Sequence, residues 1–303
     1  LQFAISVIFF GFFLFACGKQ GEAVEVKKPT EDFKVRVDRF ADLEILRYRV
    51  SQFEALSLRQ KKFVYFLSQA ALSGRDILYD QNYKYNLIIR QTIHTIVEGY
   101  KGDRSTELWK QFMTYAKRVW FSNGIHHHYS TLKIIPEFKK SYLSKLINNT
   151  DGEFALKDGE KTGEFIEWLT PTLFDSDIDR KRVNLDPQDD IISTSANNYY
   201  KGVSQDEVDM FYSNMKDPDD PNPIWYGLNS RLVKEREIVE KVWKSGGLYG
   251  DAIDQIVMWL GKAKEVAEND AQRNELEILI DYYQTGDLRT WDIYNMAWVK
   301  NTD

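Results

Sequence analysis

Apolar residues along the chain recur mostly at spacings of three and four, the period of a helix that buries one face. From Thr30 to Val50 the residues Phe33, Val37, Phe40, Leu43, Leu46 and Val50 keep that spacing and predict a first helix. Ser57 is placed to cap a second, with Val64, Leu67, Ala70 and Ala71 inward and a stop at Ser73-Gly74. Tyr83 to Gly99 predicts a third, packed through Leu87, Ile88, Ile93 and Ile96. A fourth starts near Ser105 and carries Leu108, Trp109, Phe112, Tyr115 and Val119, with Glu107 at the positive end of its dipole. Pro136 is admissible only in a first turn, so Pro136 to Ile147 predicts one more helix.

After that the character changes. Asn148 to Asn198 is rich in Gly, Asp, Asn, Ser and Thr, and predicts loops, short helices and a few strands. Ser204 and Glu207 have the spacing of a capping box, which starts a helix through Val208, Phe211 and Tyr212 that Asp217-Pro218 stops. DPDDPNP, residues 217–223, offers oxygen ligands but neither the glycine nor the closing glutamate of a calcium loop, and reads as a rigid connector. Ile224 to Lys234 predicts an extended segment. Two long helices follow, Ala252 to Ala267 and Ala271 to Gln284, with Gly286 as the C-cap of the second. Asp287 caps a last short helix whose Leu288, Trp291, Ile293 and Trp298 are expected in the core. The fold class expected from this pattern is α+β, predominantly helical, with a small β component.

The stretch that joins the helical half to the looser half, SNGIHHHYSTLKIIPEF (122–138), holds three of the four histidines. Asn123-Gly124 signals a turn and Ile125 to Ser130 reads as extended, which would point His126 and His128 to one face and His127 and Tyr129 to the other. A catalytic zinc needs a third protein ligand and an open position, and no third ligand stands nearby in sequence. These histidines therefore read as lining a polar cleft or making structural hydrogen bonds. His94 and Glu98, one turn apart on a helix, likewise lack a partner.

Composition narrows the classes. The chain has 303 residues, 43% hydrophobic and 14% aromatic, enough for a real core. Forty basic residues against 46 acidic ones give a net charge of −6, and no basic run tracks a phosphate backbone, so nucleic acid is not an expected partner. Phe3 to Ala16 is an apolar run of the length and position of a secretory h-region, and it ends at Leu14-Phe15-Ala16-Cys17, which resembles a bacterial lipobox. On that reading residues 1–17 are a lipoprotein signal segment, Cys17 carries a membrane lipid anchor, and residues 18–29 are a flexible tether. The folded part is expected over residues 30–303, in the bacterial cell envelope. Cys17 is the single cysteine, so no internal disulfide forms.

No GxGxxG, P-loop, GxSxG or CxxC motif is present, and no histidine is followed by glutamate. Several stretches taken in order are nevertheless similar to the zinc dipeptidyl-peptidase III family of metallopeptidases in its bacterial form. They are LSQAALSGRDILYDQN (67–82), SNGIHHHYSTLKIIPEF (122–138), NNYYKGVSQDEVDMFY (197–212), PIWYGLNSRLVKE (223–235), KSGGLYGDAIDQIVMWLGKAKEVAEN (244–269) and YYQTGDLRTWDIYNMAWVK (282–300).

The resemblance implies a two-lobed enzyme that removes dipeptides from the N-termini of short peptides. It also implies zinc on a His-Glu-x-x-Gly-His motif, which in the family lies C-terminal to the equivalent of Asp303. This chain would be most of the lower lobe, cut short at its C-terminus, with no catalytic residue and no zinc of its own. By position, the resemblance puts Asn123, Gly124, His126, His128 and Tyr129 at the substrate cleft. Two other readings fit the composition: a non-catalytic surface lipoprotein that binds glycans on exposed aromatics, and a scaffold lipoprotein without a ligand.

Overall fold

The computed structural model describes residues 33–301. The signal segment, Cys17 and the tether lie outside the described residues.

Where a helix is expected over 30–50, the chain forms a hairpin of β1 (Arg36–Phe40) and β2 (Leu43–Leu46). Val35, Val37 and Ile45 favour a strand, and Ala41, at φ 48, turns the chain so that Phe40 faces Leu43. A bulge between Arg36 and Asp38 inserts one residue into β1. That extra residue breaks the strict alternation and leaves a spacing of three and four that imitates a helix.

The helical half then follows with α1 (Leu58–Ser73), α2 (Arg75–Asn82), α3 (Asn86–Gly99), α4 (Glu107–Ser122), α5 (Lys140–Asn148) and α6 (Thr162–Phe174). Ser57 caps α1 in a full capping box with Gln60. The expected third helix appears as α3 but starts late, at Asn86, because Tyr83 is extended at φ −169 and closes a separate short helix, α2, over the segment before it. Pro136 does not open α5, which starts at Lys140. The intervening turn sinks Phe138 into a ring cluster with Phe112, Tyr115, Tyr142 and Phe174. This cluster is part of the main core, which α3, α4, α5 and α6 share.

The looser half contributes β3 (Tyr200–Lys201), α7 (Gln205–Ser213), β4 (Ser230–Lys234) and β5 (Ile238–Val242). β3 runs parallel to β4 and β5 antiparallel to it, giving the order β3-β4-β5. The extended segment expected from Ile224 forms a strand only from Ser230. α7 opens on the Ser204–Glu207 capping box as its spacing requires.

The chain closes with α8 (Gly250–Glu265), α9 (Asp270–Thr285) and α10 (Leu288–Lys300). α8 packs between α1 and α9 around a second core of Ala70, Ile256, Leu260, Ala263 and Leu276. Gly286, at φ 70, ends α9 and Asp287 caps α10. On α10, however, Ile293, Met296, Trp298 and Val299 are exposed, so Ile293 and Trp298 are not core residues. The observed class is α+β and predominantly helical.

Candidate functional site

A polar cleft of about 930 Å³ opens where the two halves meet, between the C-terminal end of α2, the 190–204 loop, β3 and β4. Its acidic side chains are Asp80, Asp179, Asp190 and Glu207, and its basic ones Lys84, Lys201 and Arg231.

Asp80 is the hub. Its Oδ2 accepts hydrogen bonds from Arg231 Nη2 at 2.5 Å, Tyr249 OH at 2.6 Å and Asn198 Nδ2 at 3.2 Å. Arg231 Nε also donates to the Asn198 carbonyl at 2.6 Å. Burial first, and then the bond to Asp80, hold the Tyr249 phenol well above its usual range, so it stays a donor. One carboxylate thus ties α2, the 198 loop, β4 and the start of α8 together. The other acids are committed too. Backbone N–H groups of Ser193, Gln205 and Ile192 hold Asp190 below the usual carboxylate range, and Lys234 with the Ser204 N–H does the same for Glu207.

Asp179, at φ 48, faces the cleft and anchors two buried groups beneath it. Tyr83 OH donates to its Oδ2 at 2.6 Å, and His126 Nε2 lies 2.8 Å from its backbone oxygen. A carbonyl can only accept, so Nε2 carries the imidazole proton and Nδ1 is left buried without a partner. Burial drives the His126 pKa down to about 4, which keeps the ring neutral.

The residues expected at the cleft from sequence are not brought together there. His126 does not line it and lies buried beneath Asp179, which does. Asn123 caps α4 in the left-handed conformation and its carbonyl accepts from Asn82 at 3.0 Å; it lines a different cavity, beside Arg75, Arg90 and His94. Gly124, at φ 141, is pressed onto Asn86, whose amide nitrogen an added Cβ would meet at 2.1 Å. His128 and Tyr129 line neither cavity.

Nor do His126 and His128 share a face as an extended segment requires. Only His126 makes a β-bridge, to Lys133, and the chain then turns through Thr131 at φ 59. That turn stacks His127 on His128 at 4.4 Å and His128 against Tyr129 at 4.5 Å. The left-out residues Asp80, Asn198, Arg231 and Tyr249 had a signal. Each is a polar residue in one of the stretches that resemble the family, and an arginine whose side chain is mostly buried in β4 needs a partner.

Zinc, which the resemblance implies, does not fit the side chains present. Among the described residues no group of three or more His, Cys, Asp or Glu stands close enough to hold a metal ion. His126 Nε2 is held by Asp179, and His127 Nδ1 accepts from the N–H groups of Tyr129 and Ser130.

Residues 229–303 match the model of Peptidase family M49. Among solved structures the chain is similar to DPP III from Caldithrix abyssi, with 15% identity and a TM-score of 0.50. That match covers 83% of this chain and 35% of the other, so the chain spans about a third of that protein's length. No curated protein sequence matches. The family match is thus confined to residues 229–303, and over the part compared the likeness to the DPP III structure is one of fold.

Proposed function

We propose that this chain forms most of the lower lobe of a zinc-dependent dipeptidyl peptidase, anchored in the bacterial envelope by a lipid on Cys17, with short peptides as substrates. The observation that carries the reading is the M49 match over residues 229–303, a span that includes β4 with Arg231 at the edge of the polar cleft. The cleft chemistry supports it. Its acids are engaged by Arg231, Tyr83, Lys234 or backbone N–H groups. Among the described residues the Lys84 and Lys201 ammonium groups carry no ion pair, which leaves them to meet a peptide carboxylate.

The metal and the residues that activate water come from other sequence, so no catalytic step is assigned to this chain. The test is the gene itself. A His-Glu-x-x-Gly-His motif is expected in the same reading frame beyond the codon for Asp303, and its absence would refute the assignment. For the anchor, Cys17→Ala is expected to abolish incorporation of a palmitate analogue; unchanged labelling would remove the lipoprotein part.

A further inference from the structure

Charge is unevenly spread along the chain. Overall 40 basic residues stand against 46 acidic ones, yet residues 33–62 hold eight basic and four acidic residues. Those acids are already met: Asp38 by Lys117 at 2.7 Å, Asp42 by Arg118 at 3.8 Å, Glu44 by Arg36 and Arg39, and Glu54 by Lys61. Lys34, Arg47, Arg49 and Lys62 are exposed and form no ion pair among the described residues.

The same segment is apolar on its outside. Seven large apolar side chains from Val35 to Leu58 are exposed, Tyr48 by 80%, Val50 by 74% and Leu58 by 70%. They interleave with the cations, in Lys34-Val35-Arg36-Val37 and again in Arg47-Tyr48-Arg49-Val50, and the Arg47 N–H joins the two runs by donating to the Val35 carbonyl at 2.8 Å. The hairpin has two distinct sides. Asp38 and Phe40 lie against Lys117 of α4, whereas Arg36 and Arg39 both reach Glu44 and Arg36 pairs across from Leu46, on the side turned away from α4. α1 continues the pattern. It begins with Leu58, Arg59, Lys61 and Lys62 and has no acid in its first turn, the positive end of the dipole, where an anion is favoured.

This mixture selects what can cover it. Water satisfies the cations but leaves the apolar groups exposed, and an apolar protein face would strand the cations. A bilayer of anionic phospholipid satisfies both, with Lys and Arg stems along the acyl boundary and their charged heads at the phosphates. We propose that the β1–β2 hairpin and the segment that runs on to the start of α1 dock the chain on an anionic phospholipid bilayer, lying on it without crossing it. No helix among the described residues is long and apolar enough to cross a membrane. The proposal stands apart from the lipid on Cys17, because the charge pattern carries it alone. An anchor there would leave 15 residues before Phe33, at most about 50 Å of chain, and so hold the hairpin within reach of the surface.

Hydrogen-exchange mass spectrometry of the 303-residue chain tests it. The N–H groups of Tyr48, Arg49 and Val50 make no hydrogen bond among the described residues and should exchange freely in buffer. On phosphatidylcholine vesicles that contain phosphatidylglycerol their exchange should slow by at least about fivefold, the effect of one cation at an anionic surface. The slowing should be absent on phosphatidylcholine alone and vanish in about 1 M sodium chloride, where charges are screened beyond about 3 Å. Lys34→Gln, Arg49→Gln and Lys62→Gln together remove cations without an ion pair and should abolish the slowing with the circular dichroism unchanged. Tyr48→Ser with Val50→Ser should reduce it while leaving its dependence on salt. Attachment through Cys17 acts equally on both kinds of vesicle, so Cys17→Ala should keep the difference between them. Equal exchange on the two kinds of vesicle would overturn the proposal, as would undiminished slowing in the folded triple variant. Slow exchange of these groups already in buffer would show that protein covers the segment, and would overturn it as well. The comparison of vesicles uses the wild-type chain and decides the matter if the triple variant unfolds.

Discussion

His126 is a histidine that looks like a ligand in sequence and acts as a buried strut in the fold. Its ordinary value is 6.5 and its folded value about 4. Below pH 6.5 the unfolded chain takes up a proton that the folded chain refuses, so stability falls as the pH drops from 6.5 towards 4, and the group contributes no slope above 6.5. The loss over that window is roughly 3 kcal/mol. His126→Gln keeps a donor for the Asp179 carbonyl and does not titrate. Urea unfolding at pH 7 and pH 4.5 should show a smaller acid penalty in the variant; an equal penalty would put the acid sensitivity elsewhere. Lys133 is a second strut. Its Nζ donates to the carbonyls of Thr172 and Asp175 at 3.0 and 2.8 Å and also to that of Ile178, closing the chain beyond α6. Lys133→Met should cost about 2–4 kcal/mol, since the Thr172, Asp175 and Ile178 carbonyls lose their donor together; a loss under about 1 kcal/mol in the same unfolding experiment would mean that water replaces the ammonium.

Helix caps were readable because their signal is local: Ser57, Ser204, Gly286 and Asp287 each act where their residue type and spacing place them. The hairpin β1–β2 was not readable, because a bulge is a property of the pairing between strands and leaves only a misleading period in one of them. The late start of α3 was hidden for a similar reason. Tyr83 leaves helical backbone and donates to Asp179, 96 residues away. The Asp80–Arg231 pair joins residues 151 apart, which no local pattern shows. Both side chains are mostly buried, with 20% and 15% of their surfaces exposed, so removing one strands the other. Asp80→Ala is expected to cost about 2–4 kcal/mol. The double variant Asp80→Ala with Arg231→Met should cost less than the sum of the single changes by at least about 1 kcal/mol. Strict additivity in denaturant unfolding would show that α2 and β4 are held together by something other than this pair.

The molecule as a whole has a well-packed helical core, and α10 leaves four large apolar side chains exposed, Ile293, Met296, Trp298 and Val299. Exposed apolar surface of this kind marks an interaction site or an aggregation liability, and on the proposed function it is expected to pack against the rest of a larger enzyme. Residues 29–303 produced alone should be helical, bind 1-anilinonaphthalene-8-sulfonate and scatter more light as concentration rises; a monomeric, dye-silent protein would argue for a self-sufficient domain and for the glycan-binding reading. Legibility differed between fold class and site. The helical class follows from periodicity spread along the whole chain, whereas the cleft is assembled from residues distant in sequence, and none of the expected set lines it. The measurement that bears most directly on function is mass-spectrometric analysis of a short peptide incubated with the product of the entire reading frame. Dipeptides should leave one after another from the N-terminus, cease with a chelator and resume with zinc, while the 303-residue chain alone releases none. Release of single amino acids, internal cleavage, or zinc-dependent dipeptide release by the 303-residue chain itself would contradict the assignment.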